Sequence, residues 1–177
     1  MEMKRFSWIA VLLALAIPAV FMSSCGKDDD DDEKEETSDD VKSVKISWSL
    51  EMDSAMYDLF YVEFIHNDVY GNVRTDTADM NISVFYTYSY ADASEKAVGA
   101  VVLKQREGVE LGADSIYTGG GSLDFSVVGY NEDGSVNKYM KHSVKLQNSV
   151  RVSDSNYSKL CGEEGYSFVE ARYPVKQ

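Results

Sequence analysis

Cysteine, histidine and proline are scarce in this chain, two of each in 177 residues. Two cysteines, Cys25 and Cys161, cannot supply the dense disulfide framework of a small secreted scaffold, so any folded part must stand on its apolar core. His66 and His142 are too far apart for a His-x-x-x-His metal motif, and each reads as a surface or edge residue. Basic residues number 17 against 30 acids, a formal net charge of −13. That balance excludes nucleic acid as a partner, because displacing its counterions needs a basic surface. No serine sits in a Gly-x-Ser-x-Gly context. Gly119-Gly120-Gly121 is not followed by Gly-Lys-Ser/Thr, so it is no phosphate cradle and reads as a flexible turn. Nothing in these patterns calls for a cofactor, and the chain is expected to be non-enzymatic.

What is present begins with a leader. Lys4 and Arg5 precede an apolar run over residues 6–21, interrupted only by Ser7 and Pro18. At about 16 residues the run has signal-peptide length and falls short of the roughly 20 that span a bilayer. Small residues Ser23 and Ser24 then lead into Cys25, the arrangement a lipoprotein signal peptidase requires. The reading is a cleaved lipoprotein signal peptide over residues 1–24, with Cys25 as the acylated first residue. The alternative is an ordinary secretory signal cut after Ala14-Leu15-Ala16. Two or three palmitate-type chains on Cys25, at about 0.8 kcal/mol per buried CH₂, make a lasting membrane anchor.

Residues 25–40 carry ten acids, at 28–33, 35, 36, 39 and 40, against Lys27 and Lys34. Like charges repel and apolar groups are absent, so this stretch reads as an extended, disordered tether. The acidity of the chain belongs mostly to it, and the 137 residues from Val41 onward are only mildly acidic. Cys25 followed by Lys27 and the acidic run resembles the export signal of lipoproteins in the Bacteroidota. The resemblance implies the outer membrane and its outer face, with a periplasm-facing position as the alternative.

From Val41 to the end, period-two patterns dominate. Val44, Ile46, Trp48, Leu50 and Met52 alternate with polar residues, a half-buried strand. Residues 53–57 read as a turn. Residues 58–66 form a second strand and pair as a hairpin with a third near 73–77, across the turn signals Asn67, Asp68, Gly71 and Asn72. Residues 80–90 alternate with Met80, Ile82, Val84, Tyr86, Tyr88 and Tyr90 on one face. Residues 97–103 are apolar on both faces, a central strand weakened by Gly99. After a polar loop over 105–113 come a short strand at 115–117, the glycine turn, a strand around Leu123, Phe125 and Val127, a turn at 131–134 and a long strand over 135–147. A brief helix over 154–161 and a last strand over 166–173 complete the chain.

About eight strands with regular turn signals and no long helix predict an all-β fold. The expectation is an antiparallel two-sheet Ig-like β-sandwich over residues 41–177, with a lipocalin-like up-and-down barrel as the runner-up. The pattern Tyr57-Asp58-Leu59-Phe60-Tyr61-Val62 followed by Tyr70-Gly71-Asn72-Val73 resembles the opening hairpin of small Bacteroidota lipoproteins with Ig-like domains. That resemblance implies the fold and carries no functional residues.

Candidate sites are few. All 12 tyrosines follow residue 56. Tyr86, Tyr88 and Tyr90 share a strand face and are the candidate binding residues, because a tyrosine ring offers apolar area and a hydroxyl together. The competing reading half-buries them against the sheet. Asp76 with Asp79, and Asn131 with Glu132 and Asp133, have oxygen ligands without calcium-loop spacing, and no metal site is assigned. Cys161 reads as a buried, inert thiol. The functional expectation is an outer-membrane lipoprotein displaying a binding module for a protein or a glycan. A structural or accessory subunit of an envelope assembly is the alternative.

Overall fold

Alternation in the sequence becomes alternation in burial along β1 (Ser43–Met52), where Val44, Ile46, Trp48 and Leu50 are sealed in the core and their neighbours face outward. The computed structural model describes Thr37 and residues 40–176; the leader, Cys25 and almost all of the tether lie outside the described residues. Following β1 come α1 (Ser54–Leu59), β2 (Phe60–Asn67), β3 (Val73–Ala78), β4 (Ile82–Ser89) and β5 (Lys96–Gln105). Then follow β6 (Ile116–Tyr130), β7 (Val136–Ser153), α2 (Asp154–Cys161) and β8 (Tyr166–Pro174).

The strands make two antiparallel four-stranded sheets, in the orders β4-β1-β6-β7 and β3-β2-β5-β8. Neither sheet pairs with the other, so the barrel alternative is not formed and the expected β-sandwich is. In sequence the β2–β5 pair lies within the span of the β1–β6 pair, and the two pairs form the middles of the two sheets. Inner faces of both sheets interdigitate around Trp48, Phe60, Phe64 and Phe125, all essentially without solvent contact. Trp48 crosses between the sheets: its Nε1–H donates to the Val98 carbonyl at 2.7 Å. Gly99 is the reason the ring fits. A Cβ there would stand 2.9 Å from Trp48 Cδ1, so the glycine that weakens β5 as a strand is what admits the indole.

Several local expectations are corrected. Residues 53–57 do not simply turn; they lead into α1, a helix too short for a periodic signal, which buries Met56 and Leu59 three residues apart. Gly119-Gly120-Gly121 is not a turn. The three glycines lie within β6, which runs unbroken from the strand expected at 115–117, because they pair with β7 along their whole length. Gly121 also opposes Met52 of β1. A Cβ on Gly119 would meet Met56 Sδ at 2.5 Å, and one on Gly121 would meet the Glu51 carbonyl at 2.7 Å. Helix α1 crosses β6 there, and only glycine leaves room. The long strand expected over 135–147 continues to Ser153, since the same glycines give β7 a partner beyond residue 147.

Helix α2 forms over the expected residues, with the Ser153 N–H donating to Asn156 Oδ1 at 2.8 Å at its start. It docks through Tyr157 and Cys161. The Tyr157 hydroxyl donates to the Leu59 carbonyl and accepts from the Arg106 N–H at 2.9 Å, which ties α2 to the α1–β2 junction and to the loop after β5.

Candidate functional site

The glycine run produces a feature at one end of the β4-β1-β6-β7 sheet. Glycines 119 and 121 turn their missing side chains inward, whereas Gly120 faces out and forms the floor of an open cleft. The cleft has a volume of about 790 Å³. Its centre is one cross-strand row: Glu51 on β1 opposes Ser122 on β6, which opposes Gln147 on β7. Glu51 and Gln147 are exposed arms, while Ser122 between them is only 5% exposed. None of these three side chains has a hydrogen-bond or ion-pair partner among the described residues.

The walls, by contrast, are built. Asp53 stands at the N-cap position of α1, yet its carboxylate does not cap the helix; Oδ2 accepts from the Gly120 N–H at 2.7 Å. The Asp53 N–H in turn donates to the Gly120 carbonyl at 3.0 Å, continuing the β1–β6 ladder past the strand end. On the other side the β1–β4 pairing stops at Leu50 and Ile82. Asn81 takes over there, its Oδ1 accepting from the Met52 N–H at 2.9 Å and from the Tyr57 hydroxyl at 3.0 Å. Asn148 anchors the β7 side by donating from Nδ2 to the Phe168 carbonyl at 2.7 Å. The lining holds two carboxylates, three amides, two hydroxyls, no basic side chain and one apolar residue, Met52. Such a set exchanges hydrogen bonds with polar groups and repels anions.

The tyrosine trio is placed differently from a binding patch. Tyr86 and Tyr88 do share a face of β4, but it is the inner one, and Tyr90, just past the strand end, also packs against the core. Tyr88 is 5% exposed and its hydroxyl donates to the Asp68 carbonyl at 2.5 Å; burial, then Asp68, pushes its pKa well up. Tyr86 packs against Trp48 and Tyr88. Outward from β4 points Phe85, exposed, with the Lys45 ammonium 4.3 Å from its ring centre. Tyr70, at the β2–β3 turn, is the most exposed large ring, at 79%.

His66 is buried, not at a surface or edge. It stacks on Phe64 with ring centres 4.7 Å apart, its Nδ1 lies 2.8 Å from the Asn67 carbonyl and its Nε2 lies 3.1 Å from Asp76 Oδ2. The His66 hydrogen bond, and after it Arg74, holds the Asp76 carboxyl below its usual range. Asp76 is thereby engaged on β3, and Asp133 accepts from the Ser135 N–H within the β6–β7 turn. His142 is half-buried and stacks on Tyr173 at 4.6 Å, joining β7 to β8. Cys161 is buried and unbridged, and burial raises its thiol pKa. Among the described residues no group of three or more His, Cys, Asp or Glu is arranged to hold a metal. The lipidation residue Cys25 lies outside the described residues.

Sequence reasoning missed Glu51, Ser122 and Gln147. Each occupies an outward position in its strand's alternation, and that much was legible. Their convergence depends on the registers of three strands distant in sequence. Comparison with protein-family models, with curated proteins and with solved structures found no match to this chain.

Proposed function

We propose that this protein is a non-enzymatic lipoprotein of a bacterial outer membrane, anchored through acyl chains on Cys25 and presenting its β-sandwich as a binding module. The observation that carries the binding reading is the cleft, where Glu51, Ser122 and Gln147 converge on a glycine floor and leave their polar groups unspent. Glu51 and Gln147 reach into the cleft from either side of Ser122 with their hydrogen-bonding atoms open to it, and that convergence favours an external polar partner. The anchor reading is supported by the small-small-Cys ending of the leader and the acidic run behind it. The surface-facing side of the membrane follows from the resemblance of that run to Bacteroidota export signals.

A second reading, an accessory subunit of an envelope assembly, is favoured by a different surface. On the outer face of the β3-β2-β5-β8 sheet, Ile65, Val73, Val98, Ala100 and Val102 line an apolar hollow of about 160 Å³ beside the Glu170–Arg172 ion pair. Apolar hollows of this kind suit protein contact.

Anchoring is tested by labelling cells with an alkyne analogue of palmitate and fractionating their membranes. Wild type is expected to take up label and sediment with outer membranes, and Cys25→Ala to do neither. Protease added to intact cells should remove the domain from the wild type. An unlabelled wild-type protein, or one that protease reaches only after lysis, overturns the anchor or the surface position respectively.

A further inference from the structure

The outer face of the β4-β1-β6-β7 sheet has a composition that narrows what the cleft takes. Moving away from the Glu51–Ser122–Gln147 row, the next outward row is Ser83, Ser49, Asp124 and Lys145, in which Lys145 pairs with Asp124 at 3.3 Å. The row after that is Phe85, Ser47, Ser126 and Ser143. Small hydroxyl side chains keep the sheet surface low along the middle strands. The path from the cleft to the Phe85 row spans four residues of strand, about 13 Å at the usual rise. One large apolar ring, Phe85, stands at its far edge.

A protein-docking patch concentrates buried aromatic, Arg and aliphatic anchors at its centre. This face has hydroxyls, amides and the mutually neutralised Asp124–Lys145 pair at its centre and the Phe85 ring at its rim. Each serine hydroxyl and glutamine amide both donates and accepts, which matches a ligand whose own groups do the same. The cleft excludes anions, because Glu51 and Asp53 line it without a basic side chain. Ser122 lies low in the cleft at 5% exposure, and its hydroxyl, bonded to no other side chain or backbone group among the described residues, opens into that space.

We infer that this face binds a neutral oligosaccharide, gripped at one end by Glu51, Ser122 and Gln147 and lying along the serine path toward Phe85. The inference rests on the binding-module reading above and names its ligand class. Glu51 accepts from sugar hydroxyls, Gln147 and Ser122 exchange with neighbouring ones, and Phe85 offers a ring to the C–H face of a further unit.

The test uses the full chain in detergent on an array of neutral, sialylated and sulfated oligosaccharides, followed by titration with the neutral compounds that bind. Neutral oligosaccharides are expected to bind and acidic ones not. Gln147→Ala and Glu51→Ala should each weaken binding at least tenfold, and Phe85→Ala should weaken long chains more than disaccharides. All three are exposed positions, and their thermal midpoints are expected to match wild type. Binding only to acidic sugars overturns the inference, as does neutral binding that the three variants leave unchanged. If no sugar binds, pull-down from outer membranes with wild type and Glu51→Arg separates the two levels. A protein captured by wild type alone overturns the sugar while the binding module stands, and capture of nothing overturns both.

Discussion

Trp48 joins the two sheets by both packing and a hydrogen bond, and its neighbours are chosen around it. The indole N–H reaches Val98 O across the sandwich, and Gly99 gives up its side chain to let the ring lie close. Trp48→Phe leaves a buried carbonyl unpaired and a gap where the larger ring was, and is expected to cost about 2–4 kcal/mol in urea unfolding. Gly99→Ala pushes a methyl against the same ring and should cost about 1–3 kcal/mol. A neutral result at Gly99 would mean that the indole has room to move. Asp76 offers a pH test with a definite sign. Its folded pKa lies below the unfolded value because His66, then Arg74, favours the carboxylate. The stability it contributes is therefore present above the ordinary carboxylate pKa, near 4, and is lost as pH falls through the lower folded value. In urea titrations from pH 6 to pH 3, wild type should exceed Asp76→Asn by an amount that shrinks toward the acid end. The side chain is about a third exposed, so the difference will be small. A gap that widens with acid would contradict the assignment.

Elements meet at the glycine run. Helix α1 lays Met56 against Gly119, and β1 ends with Met52 against Gly121, so a short helix, a strand end and a strand middle share one site. Gly119→Ala should destabilise by about 1–3 kcal/mol through overpacking against Met56. In the Gly119→Ala/Met56→Ala double variant the two costs should fall short of their sum, because removing the thioether makes room for the new methyl. Simple additivity would show that α1 does not rest on β6 as described. The sequence places the strands and α2, most clearly where a strand is long enough to display its period as β1 does, but it divides β6 in two and ends β7 at 147. It misses α1, which has too few, and it misreads the glycines, because a glycine excluded by a crossing helix looks the same in sequence as one required by a turn. The Tyr86-Tyr88-Tyr90 face is legible as a face, but alternation does not say which side is the core when both sides carry aromatics. Phe85, the ring left outside, looks more apolar than any of the three it displaces.

At the scale of the molecule, α2 closes one end of the sandwich and hides the thiol of Cys161 against it. Burial both blocks the thiol and raises its pKa, lowering the thiolate that reacts. Alkylation of Cys161 by iodoacetamide should therefore be at least a hundredfold slower in buffer than in denaturant. Reaction at the unfolded rate in buffer would mean that α2 is undocked. The two outer faces of the sandwich divide the remaining questions between them. One carries the polar cleft and its serine path, the other the apolar hollow around Ala100. The sugar proposed above would sit on the first and an assembly partner on the second, so variants on one face should leave the other's binding intact.

By itself the sequence determined the class of this fold, since period-two burial, frequent turn signals and few helical segments admit little besides an antiparallel sandwich or barrel. It also determined the expectations attached to Cys25 and the acidic run, which depend on neighbouring residues alone. Only the tertiary structure decided between open sheets and a closed barrel, because closure depends on which edges pair. It alone decided the cleft: Glu51, Ser122 and Gln147 meet through hydrogen-bond registers between β1, β6 and β7, and register is a property of the assembled sheet.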